Sequence, residues 1–232
     1  MTAASSPVAK KQATSATLKA TKAHRRTQCC RVYELKINRS KLNATSRVQF
    51  ERLFLQAKWY CNWVLSQPDP FNIDTRVKTD PVKVGDQFEE RELRCLSSQM
   101  KQELATQVQD AIRALAKLKE NRRKVGQLKF KRQMRCIPLK QYRVTYQLDL
   151  DRQRVKLQKL KQRLRVHGCA QFPPKAEFAN AQLLKRHGDY FLHVVTYQPT
   201  TTAPRIIPRN GLSVSMLDSN SKYDLSSALD RG

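Results

Sequence analysis

Acidic residues are scarce in this sequence, and their scarcity is the first indication of a partner. The 232 residues include 45 Lys plus Arg but only 19 Asp plus Glu, which gives a formal net charge of +26. No acidic residue occurs before Glu34. Self-repulsion at this charge opposes a compact state unless a polyanion is bound. The composition therefore points first to a nucleic acid, while 40% apolar residues can supply the core of one or two domains.

Long apolar runs are also absent. No window of about 18 consecutive apolar residues exists. The N-terminus also lacks the apolar centre of a secretory signal. Both absences argue against a membrane partner, so we expect a cytosolic protein.

Glycine clusters and metal-binding motifs are missing as well. The six glycines are scattered, which excludes a glycine-rich phosphate-binding loop. The six cysteines form no Cys-x-x-Cys pair and have no histidine at ligand spacing, so neither a zinc site nor a disulfide framework is indicated. A redox pair at Cys29 and Cys30 stays open as an alternative to inactive thiols. Because His167, His187 and His193 lack a carboxylate or cysteine partner, we expect no cofactor and no catalytic residues.

The stretch 97–135 joins an amphipathic helix to a dense basic segment. Apolar residues recur at three- and four-residue steps and predict a core-facing helix over about 97–124: Met100, Leu104, Val108, Ala111, Leu115 and Leu118. Ser97 or Ser98 can cap its start, and Gly126 suits the left-handed position after its end. The segment that follows contains no acidic residue, and its candidate nucleic-acid-binding residues are Arg122, Arg123, Lys124, Lys129, Phe130, Lys131, Arg132 and Arg135. A merely solvated charged face is the alternative.

The first 28 residues are rich in Ala, Ser, Thr and Lys. Such a segment buries too little apolar surface to offset its ordering entropy, which predicts a disordered basic arm over residues 1–30. A mitochondrial transit peptide has a similar composition and is the alternative.

The next segments predict a strand followed by a helix. Alternation over 31–37 predicts a half-buried strand. Ser46-x-x-Gln49 is a capping-box pattern, and an apolar helix is predicted from there to about Ser66. Trp59 and Trp63, one turn apart, either belong to the core or stack on bases. Prolines, Asp, Asn and Gly85 predict a long connection over 67–90.

Beyond the basic segment the apolar period changes to two. Strands are predicted over 143–150, around Val155 and Leu157 and around Leu164 and Val166, and a hairpin pairs 181–185 with 190–197. We predict an α+β fold: a small antiparallel β-barrel whose first strand, within 31–45, is separated from the rest (126–200) by a helical insertion (46–125).

The predicted strands are basic too. Seven positions from Arg152 to Arg165 are Lys or Arg and none is acidic. Four of them join the candidate binding residues: Lys156, Lys159, Arg163 and Arg165. A barrel wall with this charge is expected to face a polyanion.

The order of these parts resembles the TnpB proteins, transposon-encoded RNA-guided nucleases often described as transposases and related to type V CRISPR effectors. The resemblance rests on short segments in order over residues 31–197. They are Tyr33-Glu-Leu-Lys-Ile37, Tyr60-Cys-Asn-Trp63, Leu96-Ser-Ser-Gln99, Leu128-Lys-Phe-Lys131, Val155-Lys-Leu-Gln-Lys-Leu160, Arg163-Leu-Arg-Val166 and Gly188-Asp-Tyr190.

The resemblance implies a wedge barrel and a helical recognition insertion that together hold guide RNA and the guide–target duplex. It implies RNA backbone contacts for basic residues in the matching segments. They are Lys129, Lys131, Arg132, Lys156, Lys159, Arg163 and Arg165, with Phe130 among them. Guide-like RNA is the expected partner, with DNA as a second one.

The C-terminus departs from the family pattern. Family members continue into a RuvC-like nuclease core with several acidic residues, where Mg²⁺ is expected. In the tail, 201–232, Asp218 within Leu217–Tyr223 resembles an isolated remnant of the first RuvC motif, and an incidental residue is the alternative. Because one carboxylate cannot build a metal-dependent nuclease site, we expect a truncated protein that binds without cutting. Two alternatives remain: half of a split nuclease completed by a separate RuvC polypeptide, or an unrelated regulatory or ribosome-associated RNA-binding protein.

Overall fold

The computed structural model describes residues 7–199. The helices in this range are α1 (Pro7–Arg26), α2 (Ala44–Ser66) and α3 (Ser98–Glu120). The strands are β1 (Gln28–Ile37), β2 (Thr79–Val84), β3 (Gln87–Glu92), β4 (Cys136–Leu139), β5 (Tyr146–Asp149), β6 (Arg154–Leu157), β7 (Leu164–His167), β8 (Glu177–Arg186) and β9 (Asp189–Pro199). The predicted tail 201–232, with Asp218, lies outside the described residues.

Seven strands form an antiparallel, nearly closed barrel in the order β4-β8-β9-β1-β7-β6-β5. The last strand of this order, β5, approaches β8, the neighbour of β4, where the Tyr146 hydroxyl donates to the Ala179 carbonyl at 2.9 Å. Leu35, Val166 and Leu192 are fully buried inside, because alternate residues of each strand face the core. The predicted α+β fold with a small antiparallel barrel interrupted by helices is confirmed.

The strand β1 lies in the middle of the sheet, between β9 and β7. Chain order alone would not place it there, since α2, α3 and the hairpin β2–β3 all intervene before β4. Stacking of Phe50 from α2 on Tyr190 of β9, with ring centroids 4.5 Å apart, ties the inserted helices to the barrel.

Both inserted helices begin at side-chain caps. Ser97 caps α3 as predicted, accepting from the Met100 amide at 3.2 Å. The predicted capping box at Ser46 is wrong, because Asn43 caps α2 and accepts from the Ser46 amide at 2.7 Å. Buried Ser46 belongs to the first turn of the helix instead.

The end of α3 also differs from the prediction. The helix stops at Glu120, four residues early, and Asn121 caps it by donating its amide to Lys117 and Lys119 carbonyls. Arg122 takes the left-handed conformation, with φ of 55°, that Gly126 was expected to supply. Gly126 therefore lies within the extended basic segment.

Part of the predicted connection 67–90 is a β-hairpin, β2–β3, turning at Gly85 with φ of +61°. Every residue of β3 is exposed, so the alternation of buried and exposed positions that identifies strands is missing there. Similarly, residues 143–145 form a turn rather than the start of β5, since Arg143 has φ of 65°.

Residues 7–26 of the predicted disordered arm form helix α1. Pro7 is at the first helical position, where its missing N–H costs nothing, and basic residues fill the last turn, where the helix dipole favours them. The Arg25 guanidinium then contacts the Glu177 carboxylate of β8 at 2.6 Å. This contact anchors the end of α1 to the barrel.

Candidate nucleic-acid interface

The basic segment between α3 and β4 is held at two points. The side chain of Asn62 on α2 accepts from the Lys131 amide at 2.8 Å and donates to the Lys131 carbonyl at 3.1 Å. Four residues later, the Arg135 carbonyl accepts from the Lys185 amide at 2.9 Å. The positions of residues 131–135 between α2 and the hairpin β8–β9 are therefore fixed.

A groove opens where this segment, α2 and the tip of the β8–β9 hairpin meet. Its volume is about 510 Å³. We call it the basic groove, and its lining residues are Glu51, Phe54, Leu55, Lys58, Arg132, Gln133, Met134, Arg135, Lys185, Arg186, His187 and Gly188. Five of these twelve residues are Lys or Arg and one is acidic, so the groove attracts anions.

Some charges of the basic groove are neutralised internally. Lys185 Nζ lies 2.5 Å from Glu51 Oε2, and the Tyr190 hydroxyl donates to Glu51 Oε1 at 2.7 Å. Both hydrogen bonds lower the pKa of Glu51, and the bond from Lys185 has the larger effect. Arg186 contacts Glu34 at 3.1 Å on the outer face of the sheet.

Three cations of the groove lack such compensation. Within residues 15–199, Lys58, Arg132 and Arg135 form no ion pair. Arg132 and Arg135 are exposed, and Lys58 is half-buried. These three side chains are therefore available to an anionic ligand.

A second cationic surface lies on the outside of the barrel. Strands β6 and β7 place Arg154 directly opposite Arg165. The next pair in register, Val155 and Leu164, is buried and faces the core. We call this surface the strand face, and it consists of the exposed residues Arg154, Lys156, Arg163 and Arg165. None of the four forms an ion pair with another described residue.

Like charges directly opposite in an antiparallel pair destabilise it. Asp149 of β5 is paired in register with Arg154 of β6, and its carboxylate accepts from the Arg152 amide at 3.0 Å in the adjoining turn. A bound phosphate backbone would relieve the remaining repulsion.

The structure divides the candidate residues between several places. Arg132 and Arg135 line the basic groove, whereas Lys156, Arg163 and Arg165 belong to the strand face. Lys159 belongs to neither surface: it lies in a turn with φ of 71°, and its charge adds to the burial that lowers the pKa of Lys101 on α3.

The other candidates are exposed along the basic segment. Lys129 and Phe130 line a separate apolar groove of about 550 Å³ with Leu65, Ile112 and Leu115. Phe130 is 62% exposed. Arg122, Arg123 and Lys124 are exposed directly after α3. Lys131 is exposed too, and its Nζ lies 4.0 Å from Met134 Sδ.

No family model matches this sequence, and no curated protein is significantly similar to it.

Sequence reasoning missed Lys58, Lys185 and Arg186 in the basic groove and Arg154 on the strand face. Glu51 and Lys58 lie two turns apart on one face of α2, so two charges on that face were a usable signal. Lys185 and Arg186 lie directly before the turn of the β8–β9 hairpin, where Arg186 is exposed and Lys185 is half-buried. Trp63 is partly buried and packs against the core, which agrees with the core reading of this residue, and it stacks on Tyr60.

Metal-ligating side chains do not converge in the described range: no group of three or more His, Cys, Asp or Glu there could hold a metal ion. Burial raises the pKa of the Cys61 thiol to about 11. All six cysteines are free thiols, including Cys29 and Cys30. In the same range no helix is long and apolar enough to cross a membrane.

Proposed function

We propose that this chain is an RNA-binding protein that holds a folded RNA by its phosphate backbone. The proposal rests chiefly on the strand face, where Arg154 lies directly opposite Arg165. Arg165 forms no ion pair with a described acidic residue. Exposed, unpaired cations at fixed positions on a sheet suit phosphate contacts, which position a nucleic acid without reading its sequence. The net charge of +26 supplies long-range attraction as well.

The RNA is guide-like in this proposal, and DNA is the second ligand. Support comes from the resemblance to TnpB proteins, for which a wedge barrel interrupted by a helical insertion is expected. The chain has a barrel interrupted by α2 and α3, and both cationic surfaces include residues from the matching segments. In this proposal the described part binds the RNA and has no catalytic role of its own.

A salt titration tests the phosphate contacts. The affinity of the purified chain for a structured RNA should fall with log salt concentration at a slope of roughly −0.7 to −0.9 per phosphate contacted. Replacing Arg154, Lys156 and Arg165 by Ala should reduce the slope by about 2 to 3. A flat salt response of the unmodified chain would contradict the proposal.

A matched control removes three charges that are already paired. Arg91, Arg94 and Arg113 contact Glu89, Glu92 and Asp110 respectively. Their triple Ala variant should change the slope by much less than the strand-face variant, although the net charge falls equally. Equal slopes in the two variants would mean that net charge, rather than the strand face, binds RNA.

The identity of the RNA is tested by cross-linking in cells followed by sequencing. The proposal expects RNA encoded at a transposon end. Recovery of ribosomal RNA instead would favour a ribosome-associated protein and overturn the guide-like assignment.

A further inference from the structure

The basic groove has an apolar floor beneath its cationic rim. Phe54 and Leu55 of α2 and Met134 of the basic segment line it. Leu55 is 39% exposed, whereas Phe54 and Met134 are 4% and 8% exposed. A duplex keeps its bases stacked inside and offers phosphates and sugars to a protein. An apolar floor therefore adds nothing to duplex binding but can contact an unpaired base.

The rim of the groove is held in place before any ligand arrives. Asn62 fixes Lys131 through two hydrogen bonds, and the Lys185 amide fixes Arg135 at 2.9 Å. Arg132 lies between these two points. Since the backbone is already ordered, the ordering cost on the protein side is confined to the cationic side-chain ends.

The size and chemistry of the groove suit one nucleotide. Its volume of about 510 Å³ is at the lower end of ligand pockets, which span roughly 300–1,000 Å³. The guanidinium groups of Arg132 and Arg135 present forks that match phosphate oxygens, and the Lys58 ammonium adds a point charge.

We propose that the basic groove binds one nucleotide unit of single-stranded RNA, with its phosphate on Arg132, Arg135 and Lys58 and its base against Leu55. This inference rests on the proposed function and assigns the unpaired part of the RNA to the groove and the paired part to the strand face. Single-stranded segments are recognised in this way elsewhere, by a cationic track beside surfaces that stack bases.

The test compares an eight-nucleotide oligouridine with a blunt RNA duplex. A groove variant, Lys58→Ala/Arg132→Ala/Arg135→Ala, should lose about 10-fold or more in affinity for the oligouridine and much less for the duplex. The strand-face variant Arg154→Ala/Lys156→Ala/Arg165→Ala removes the same charge and should show the reverse preference. Equal losses on both RNAs in both variants would overturn the division of roles.

A second variant leaves the charge unchanged. Leu55→Ser should lower oligouridine affinity about 3- to 10-fold by removing apolar contact with the base, while duplex affinity stays constant. Circular dichroism confirms that each variant is folded. If folded Leu55→Ser binds oligouridine with unchanged affinity, the base does not contact the groove and the assignment is wrong.

Photo-cross-linking locates the ligand directly. An oligouridine carrying 4-thiouridine should cross-link to peptides containing residues 54–58 or 132–135 of the unmodified chain. Cross-links confined to β6 and β7 would overturn the assignment.

Failure of the proposed function is separable from failure of this inference. If the unmodified chain binds no structured RNA, uridine monophosphate is titrated and followed by ligand-observed NMR. If uridine monophosphate binds the unmodified chain and not the groove variant, the nucleotide site in the groove is supported although the proposed function has failed. Absence of binding, or binding that the groove variant retains, overturns it.

Discussion

A carboxyl group is buried in the inserted region. Asp80 of β2 is 2% exposed, and its Oδ2 finds no hydrogen-bond partner within the described residues. Burial, reinforced by the charge of Glu90, raises the pKa of Asp80 to about 7. The folded protein therefore holds a proton on Asp80 at pH values where the unfolded chain, with a pKa of 3.8, has released it.

This difference predicts a pH-dependent stability. Between about pH 4 and pH 7 the folded state binds more protons at Asp80, so the stabilisation from this group is complete below pH 4 and is lost as pH rises through 7. Asp80→Asn cannot ionise. The free energy of unfolding of the unmodified chain minus that of Asp80→Asn should fall by about 3 kcal/mol from pH 4.5 to pH 8 in urea titrations. A constant difference would contradict the prediction.

Arg154 and Arg165 lie opposite each other on the strand face, so we expect them to favour RNA binding and to lower the free energy of unfolding. Arg165→Thr removes the repulsion with Arg154 and introduces a residue that suits strands, so the free energy of unfolding should rise by about 0.2–1 kcal/mol. RNA affinity should fall in the same variant. Lys156→Thr is the matched control, because Lys156 faces neutral Gln147, and it should weaken RNA binding with a smaller gain in stability. Urea unfolding and RNA titration of both variants measure the two effects.

The inserted helices and the barrel were predictable to different degrees. The strong apolar periods of α2 and α3 and the alternation in β1, β8 and β9 identify these elements because each buries one face. The hairpin β2–β3 was missed because nearly all of its residues are exposed. Strand β4, buried at Ile137, Pro138 and Leu139, shows no alternation, and its four residues follow a charged segment.

The candidate site was predictable only where cations are adjacent in sequence. The basic segment and the β6–β7 cations are dense in the chain and were identified from it. The basic groove combines Lys58, Arg132 and Arg186 from three separate elements, and only the tertiary packing brings them together. Charge density along the chain therefore identified two of the five cations of the groove, Arg132 and Arg135.

The core face of α3 changes along its length. Leu104 is fully buried, whereas Leu115, one of the residues lining the apolar groove, is half-buried. Leu104→Ala should cost about 2–5 kcal/mol of the free energy of unfolding. Leu115→Ala should cost about 1 kcal/mol, because less apolar surface is lost there. Chemical unfolding of the two variants measures the difference, and equal costs would mean that α3 packs differently.

Charge acts on the molecule as a whole. Nineteen acidic residues cannot balance 45 basic ones, so the folded chain carries unrelieved repulsion. A polyanion that binds only the folded state adds stability by mass action.

Heparin, as a sequence-free polyanion, should therefore raise the melting temperature of the chain. At 100 times its dissociation constant the gain is about 2.7 kcal/mol. The gain should shrink as salt screens the contacts. A melting temperature that heparin leaves unchanged at low salt would contradict the prediction, with an equal mass of a neutral polysaccharide as the control.

The central position of β1 has a consequence for biosynthesis. Leu35 pairs with Leu192, so roughly 150 further residues must be translated before β1 finds its main partner, which takes on the order of 10 s at about 5–20 residues per second. During that interval the β1 edge that pairs with β9 stays unpaired, and only Lys36 and Ile37 gain partners, on β7, before β9 is made. We therefore expect the apolar side of β1 to be a binding site for chaperones on the nascent chain until Asp189–Pro199 emerges.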